Sequence, residues 1–106
     1  MVLPADFRAV VRRGRRSTTP SAVYYRRVTQ PGDPVRFGVI VSRKVGNAVE
    51  RNLVRRRLRA LGRSLVDAGH RGEDVVIRVL PGKSPHSWDS LSADMHDVLD
   101  SPVSDR

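Results

Sequence analysis

Residues 47–66 constrain this chain more than any other stretch. Val54, Leu58, Leu61 and Leu65 recur at spacings of four, three and four, which puts them on one stripe of an α-helix. The opposite stripe, at the same spacings, is Asn52, Arg56, Arg59 and Arg63, with Arg51 and Arg55 on one flank and Arg57 on the other. Asn47 followed three residues later by Glu50 fits a capping box with Asn in the Ser/Thr role, worth about 1 kcal/mol. The helix therefore has an apolar face that must be buried and a polar face that is almost all arginine. Arg51–Arg55, Arg55–Arg59 and Arg59–Arg63 are like charges four apart, each costing an isolated helix roughly 0.2–0.5 kcal/mol. Glu50 is the one acid placed to relieve them. Solvated helix faces usually alternate in sign, so an uninterrupted cationic face points to a polyanionic partner. The free N–H groups following Gly46 add a natural phosphate seat.

Such a helix needs a sheet or other helices to cover its stripe. Residues 35–43 read as a strand with Val35, Phe37, Val39 and Val41 on one face and Gly38, Ile40 and Ser42 on the other. Residues 74–80 read as another, with Val75, Ile77 and Val79 on one side. Val76 and Leu80 on its other side suggest a central position. These two strands flank the helix, so the unit is strand–helix–strand and the strands are expected to be parallel. Residues 22–29 form a further candidate, Val23 and Tyr25 facing one way and Tyr24 and Val28 the other. The turn residues Gln30, Pro31, Gly32, Asp33 and Pro34 suggest a hairpin from that strand to 35–43. Residues 4–13 read as a short helix. Pro4 suits its first turn, Asp6 its positive end and Gly14 its stop, with Phe7, Val10 and Val11 on one face. Residues 15–21 read as a polar connector. Pro81, Gly82 and Pro85 make a loop. A last helix over 88–99, capped by Ser87 or Ser84, has Trp88, Leu91, Met95, Val98 and Leu99 as its apolar face. The tail from Asp100 is expected to fray, and a further short strand fits.

With 106 residues the chain is one domain. Nineteen of its 20 Lys and Arg residues lie in positions 1–83, against six of its 11 acids; positions 84–106 hold Arg106 and five aspartates. Arginine dominates over lysine, which suits forked contacts to phosphate and base edges. The formal net charge of +9 attracts polyanions over a Debye length, and nucleic acid is the expected partner. The absence of cysteine excludes disulfides, thiolate metal sites and cysteine nucleophiles. A protein nuclease would gather carboxylates or histidines. His70, His86 and His96 lack metal-ligand spacing and read as solvated, and Asp94 and Asp97 read as a solvated helix face. No apolar run approaches a membrane span, no segment reads as a signal peptide, and a soluble cytoplasmic protein is expected.

The run from Ser42 to Arg59 resembles the signature of the bacterial ribonuclease P protein family. It holds Lys44, Gly46, Ala48 and Val49, then Arg51 and Asn52, Arg55 and Arg56, and Arg59, all in the family's spacing. The resemblance extends to Asp6 and Phe7 with Val10, Val11 and Gly14, to Tyr25, to residues 74–81, and to Leu91, Met95 and Leu99. The chain departs from the pattern at Leu53, where most relatives carry a basic residue, and at Val11, where an aromatic is common. Relatives also carry several more basic residues before the Asp-Phe pair.

The resemblance implies a single α/β domain, an α+β two-layer sandwich of a small mixed sheet and packed helices, with a left-handed strand–helix–strand crossover. General handedness alone gives the right-handed form. It further implies the protein subunit of an endoribonuclease whose catalytic centre is RNA. The protein would bind ribonuclease P RNA and the 5′ leader of precursor tRNA, and would not cleave alone. Mg2+ at the reaction centre would be held chiefly by the RNA. Lys44, Arg51, Asn52, Arg55, Arg56 and Arg59 are then the expected contacts to the catalytic RNA. Phe7, Val11 and Tyr25 would wall a leader cleft edged by Arg8, Arg12, Arg27 and Arg43. No residue is expected to be catalytic or to bind metal. A structural RNA-binding protein would share the charge but not the Arg-Asn helix pattern. A DNA-binding domain would need a helix-turn-helix pair or a dimerisation stripe, and a membrane-surface helix would need the apolar face that the core uses.

Overall fold

The computed structural model describes residues 4–81 and 87–100, with side chains from Phe7 onward. The expected loop residues Gly82, Ser84, Pro85 and His86, and the tail 101–106, lie outside these. The chain runs α1 (Pro4–Arg13), β1 (Arg15–Thr18), β2 (Ala22–Val28), β3 (Arg36–Ile40), a short 3-10 turn (Arg43–Val45), α2 (Ala48–Asp67), β4 (Glu73–Val79) and α3 (Trp88–Leu99). The strands make one sheet in the order β1-β2-β4-β3. β1 with β2 and β2 with β4 are antiparallel, and β3 with β4 is parallel.

β4 sits inside the sheet because it is apolar on both faces. Val75, Ile77 and Val79 belong to the larger core, and Val76 to the smaller one on the other side. A strand of that kind is stable with neighbours on both edges and cover above and below. Its position overturns the expected hairpin: β2 and β3 are not paired, because β4 lies between them. The turn residues do reverse the chain, but the loop closes over the entry to β4. The Asp33 N–H donates to the Gln30 carbonyl at 2.9 Å, Gly72 N–H to the Asp33 carbonyl at 2.9 Å, and Thr29 N–H to the Gly72 carbonyl at 2.9 Å. Gly72 has φ of 81° and lies against Pro31, where a Cβ would approach to 3.3 Å; glycine is the residue that takes this backbone without strain. The polar connector also contains β1. Arg15, Arg16, Ser17 and Thr18 show no apolar alternation, and their pairing rests on backbone bonds to β2.

Helices α2 and α3 form the second layer on one face of the sheet. Val54, Leu58, Leu61 and Leu65 of α2 and Leu91, Met95, Val98 and Leu99 of α3 enclose Ala22, Tyr24, Val75, Ile77 and Val79. Burying each such aliphatic chain contributes about 1.5–3 kcal/mol, more than the arginine repulsions on the outer face remove. Helix α1 covers part of the opposite face, Val10 packing with Val23, Tyr25 and Val76. Trp88 departs from the expected apolar face of α3: it is 44% exposed and stays out of the core its stripe-mates enter.

A buried ion pair fastens these layers. Arg26, 4% exposed, donates from Nε and Nη2 to the Glu73 carboxylate at 2.7 and 2.9 Å, and from Nη1 to the Val98 carbonyl at 2.7 Å. His70 Nε2 lies 2.8 Å from Glu73 Oε2, the oxygen that also accepts from Arg26 Nη2, so His70 is a half-buried partner rather than a solvated residue. Asp94 likewise is engaged, accepting from the Ser21 hydroxyl. Beside it, burial pushes the Tyr24 phenol above the ordinary tyrosine range, and the charge of Asp94 adds to the effect. Its hydroxyl has no hydrogen-bond partner among the described residues.

Glu73→Ala leaves the Arg26 guanidinium buried without its counter-ion, and a loss of about 3–5 kcal/mol is expected in urea denaturation; a loss below about 1 kcal/mol would mean the pair is not dry. For Tyr24, the raised value means that its contribution to stability is present below pH 10 and falls as pH rises above it, since the unfolded phenol ionises first. Tyr24→Phe removes an unpartnered hydroxyl. It is expected to hold or raise stability at neutral pH by up to about 1–2 kcal/mol and to lose less than the unsubstituted chain in denaturation at pH 10.5. A clear loss at neutral pH would show that the hydroxyl is bonded.

Candidate nucleic-acid interface

The cationic surface is set by how α2 is started and what holds its underside. The Asn47 side-chain carbonyl accepts the Glu50 N–H at 2.9 Å, and the Glu50 carboxylate accepts the Asn47 N–H at 3.1 Å, so the capping box is complete. From that start the buried stripe faces the sheet and Asn52, Arg56, Arg59 and Arg63 stand exposed. Arg51, Arg55 and Arg57 are half-buried on the flanks. The Arg55 guanidinium donates to Asn52 Oδ1 at 3.0 Å, holding two of the expected contacts together. Arg51 Nε points back to the Asn47 carbonyl at 3.5 Å. Val49, Asn52, Arg55, Arg56 and Arg59 line a single shallow hollow along the helix, and Arg56, Arg59 and Arg63 line its continuation. Arg43 and Lys44 are exposed on the 3-10 turn just before α2.

Among the described residues, no carboxylate forms an ion pair with Lys44, Arg51, Arg55, Arg56, Arg59 or Arg63. The acids that do pair are used elsewhere: Glu73 by Arg26 and His70, and Asp74 by Arg36, whose Nε and Nη2 donate to it at 2.9 and 2.7 Å. The helix surface thus keeps its positive potential for a ligand.

The second group of expected contacts is brought together in part. The Phe7 ring packs against Gly38, where an added Cβ would come to 2.3 Å from it, so any larger residue there would have to displace the ring. Phe7, Arg8, Val11 and Arg12 line one hollow with Ile40. Val11 and Ile40 are each 37% exposed, an apolar floor with two guanidinium groups beside it. Ile40 was not among the expected contacts. Its strand alternation away from Val39 and Val41 was visible, but not that α1 would cover that face. Tyr25 belongs to the support of this hollow rather than its wall: it is 8% exposed, packed with Val10, Val23 and Val76. Arg27 is half-buried farther along the same sheet face, in register with Asp74. Arg43 stands beyond the end of β3 and leads into α2.

No group of three or more His, Asp or Glu side chains that could hold a metal ion occurs among the described residues. No helix among the described residues is long and apolar enough to cross a membrane.

These features define a class, a small basic α+β protein that presents a capped, arginine-lined helix between two parallel strands. The family model of ribonuclease P matches residues 2–102. The chain is 52% identical over 91 residues to the ribonuclease P protein component of Clavibacter michiganensis, covering 86% of this chain and 80% of that one. It is 42% identical over 99 residues to that of Pseudarthrobacter chlorophenolicus, covering 93% and 73%. Its fold is similar to the ribonuclease P protein of Staphylococcus aureus, with a TM-score of 0.76, 25% identity and coverage of 94% and 91%. It is also similar to that of Thermotoga maritima, with a TM-score of 0.78, 23% identity and coverage of 93% of each chain. The chain belongs to the ribonuclease P protein family.

Proposed function

We propose that this chain acts as the protein subunit of ribonuclease P, binding the catalytic RNA through α2 and the 5′ leader of precursor tRNA through the hollow between α1 and β3. The observation that carries this reading is the unneutralised row Asn52, Arg55, Arg56 and Arg59 on a helix whose other face is locked into the core. Lys44 and Arg51 extend the row towards the helix start. Guanidinium forks contact phosphate oxygens bidentately, and Asn52, bonded to Arg55, fixes the direction of that fork. Phosphate contacts of this kind position a protein on folded RNA without reading sequence.

The leader fits the second hollow because a single strand needs apolar surface for its bases and cations for its backbone. Phe7, Val11 and Ile40 supply the first, and Arg8 and Arg12 the second. Tyr25 supports the floor, and Arg27 and Arg43 extend the cationic edge in the two directions that the strand can leave. In this reading the protein's work is binding and orientation. The RNA supplies the reaction centre, with the Mg2+ that activates water for hydrolysis of the leader's phosphodiester bond. Localisation in the cytoplasm, with precursor tRNA, follows from this reading.

The direct test is precursor-tRNA cleavage at low Mg2+ by a bacterial ribonuclease P RNA with and without the protein. Accurate 5′ cleavage restored by the protein, with none by the protein alone, is the expected result; tight binding without rescue would favour a structural RNA-binding role. The helix assignment has its own test. Arg56→Ala with Arg59→Ala is expected to weaken binding to that RNA and to lower the slope of log affinity against log salt by roughly one unit per lost phosphate contact. An unchanged slope in salt-titrated filter binding would remove α2 from the interface.

A further inference from the structure

Trp88 is the chain's single tryptophan, and it lies outside the main core. Every other large apolar residue of the α3 stripe is buried: Leu91, Met95, Val98 and Leu99 are all in the main core. Trp88 remains 44% exposed at the first position of the helix. A rigid aromatic side chain left open at this cost in solvated apolar area is the usual mark of a contact surface.

Its neighbourhood says which kind. Ser87, which caps α3 by accepting the Ser90 N–H, lines a hollow with Val45, Glu50, Leu53, Val54 and Arg57 of the 3-10 turn and α2. The start of α3 therefore abuts the flank of the arginine-lined helix, and Trp88 is the residue next to Ser87 there. The charges there are mixed. Arg57 and Glu50 both line the hollow, and Asp89 follows Trp88 in the first turn of α3. Two acids repel a phosphate at this point, whereas the uncharged π-face of a base is indifferent to them. Half-buried Val45 and Leu53 offer apolar edges of the same kind. The occupant that suits a flat aromatic beside a cationic helix, but with acids close by, is an unpaired nucleobase whose phosphates lie back on the arginines.

We infer that Trp88 is a stacking platform for an unpaired base of the RNA that α2 grips, forming a contact apart from the leader hollow on the other face of the sheet. This rests on the RNA-subunit reading above. The probe is a bacterial ribonuclease P RNA transcript, and because the chain has one tryptophan its emission reports this site alone. Titration of the RNA into the full chain is expected to quench Trp88 emission, saturating at the RNA concentration at which a gel-shift assay saturates. Acrylamide quenching of the bound protein should fall severalfold. Trp88→Ala is expected to weaken RNA binding about tenfold, the lower to middle range for loss of a base–aromatic stack, with the salt slope unchanged. Trp88→Phe should keep most of the affinity. Binding in the gel shift with Trp88 emission and quenching unchanged overturns the inference while the RNA-subunit reading stands, and leaves this face to a protein partner. So does a folded Trp88→Ala chain that binds as tightly as the unsubstituted one. If Trp88→Ala fails to fold, the emission and quenching of the unsubstituted chain decide alone. No RNA binding in the gel shift removes both readings.

Discussion

The guanidinium of Arg26 is the point at which the fold is joined. It sits in β2, takes its counter-ion from the first residue of β4 and donates from Nη1 to a carbonyl in the last turn of α3. Three elements distant in sequence therefore meet at one buried charge. Such a pair adds little net stability over an apolar substitute, but breaking it strands a charge. Its structural effect here is on docking. The terminal carbonyls of a helix need donors, and a buried arginine supplies one at a single position, so α3 can seat against β2 and β4 in one way. His70 reaches the same carboxylate from the loop after α2, which ties the end of the cationic helix to the same centre.

The arginines of this chain are thus divided between two uses. Arg26 and Arg36 are matched to buried acids at the end of the sheet where β4 begins. Among the described residues, Arg51, Arg55, Arg56, Arg59 and Arg63 of α2 form no ion pair, and Arg56, Arg59 and Arg63 stand exposed. The division depends on placement more than on number. Glu73 and Asp74 are adjacent on β4 and point to opposite faces, so one neutralises a charge under α3 and the other a charge on the side of α1. Of the two acids in α2, Glu50 is held in the capping box by the backbone of Asn47, at the helix end where a negative charge is favourable, and Asp67 is the last residue of the helix, beside the end of the arginine row.

Much of this was readable before the coordinates. Periodicity and end signals placed α1 and α3 to the residue, α2 to within one, and the complete capping box followed from Asn47 and Glu50. The two-faced apolar character of residues 75–80 placed β4 inside the sheet, and the strand–helix–strand order made it parallel to β3. The losses have separate causes. The pairing of β2 with β3 failed because a turn motif reports a local reversal, while strand order is settled by which strand most needs cover. β1 has no periodic signal, being four polar residues paired through backbone. Trp88 was assigned to the core because helical spacing gives the angle around the axis, not how far the core extends along it. In the site, the exposed row of α2 was legible because a buried stripe fixes its opposite. Burial of Tyr25 and exposure of Ile40 were not, since both follow from where α1 lies across the sheet. Arg26 and Arg27 are neighbours on opposite faces of one strand, and the sequence does not say which of them meets Glu73.

The two helices that share the second layer carry opposite charge. α2 holds six arginines and two acids, while α3 holds Asp89, Asp94, Asp97 and no Lys or Arg, with Asp100 at its end. The molecule consequently has a charge moment as well as a net charge. In the field of a polyanion, a net charge produces attraction, but a moment produces torque. The protein arrives already turned, with α2 leading and α3 trailing. An encounter oriented before contact wastes fewer collisions than one that must search by rotation on the surface. The aspartates of α3 then shape how quickly the arginines of α2 find their ligand.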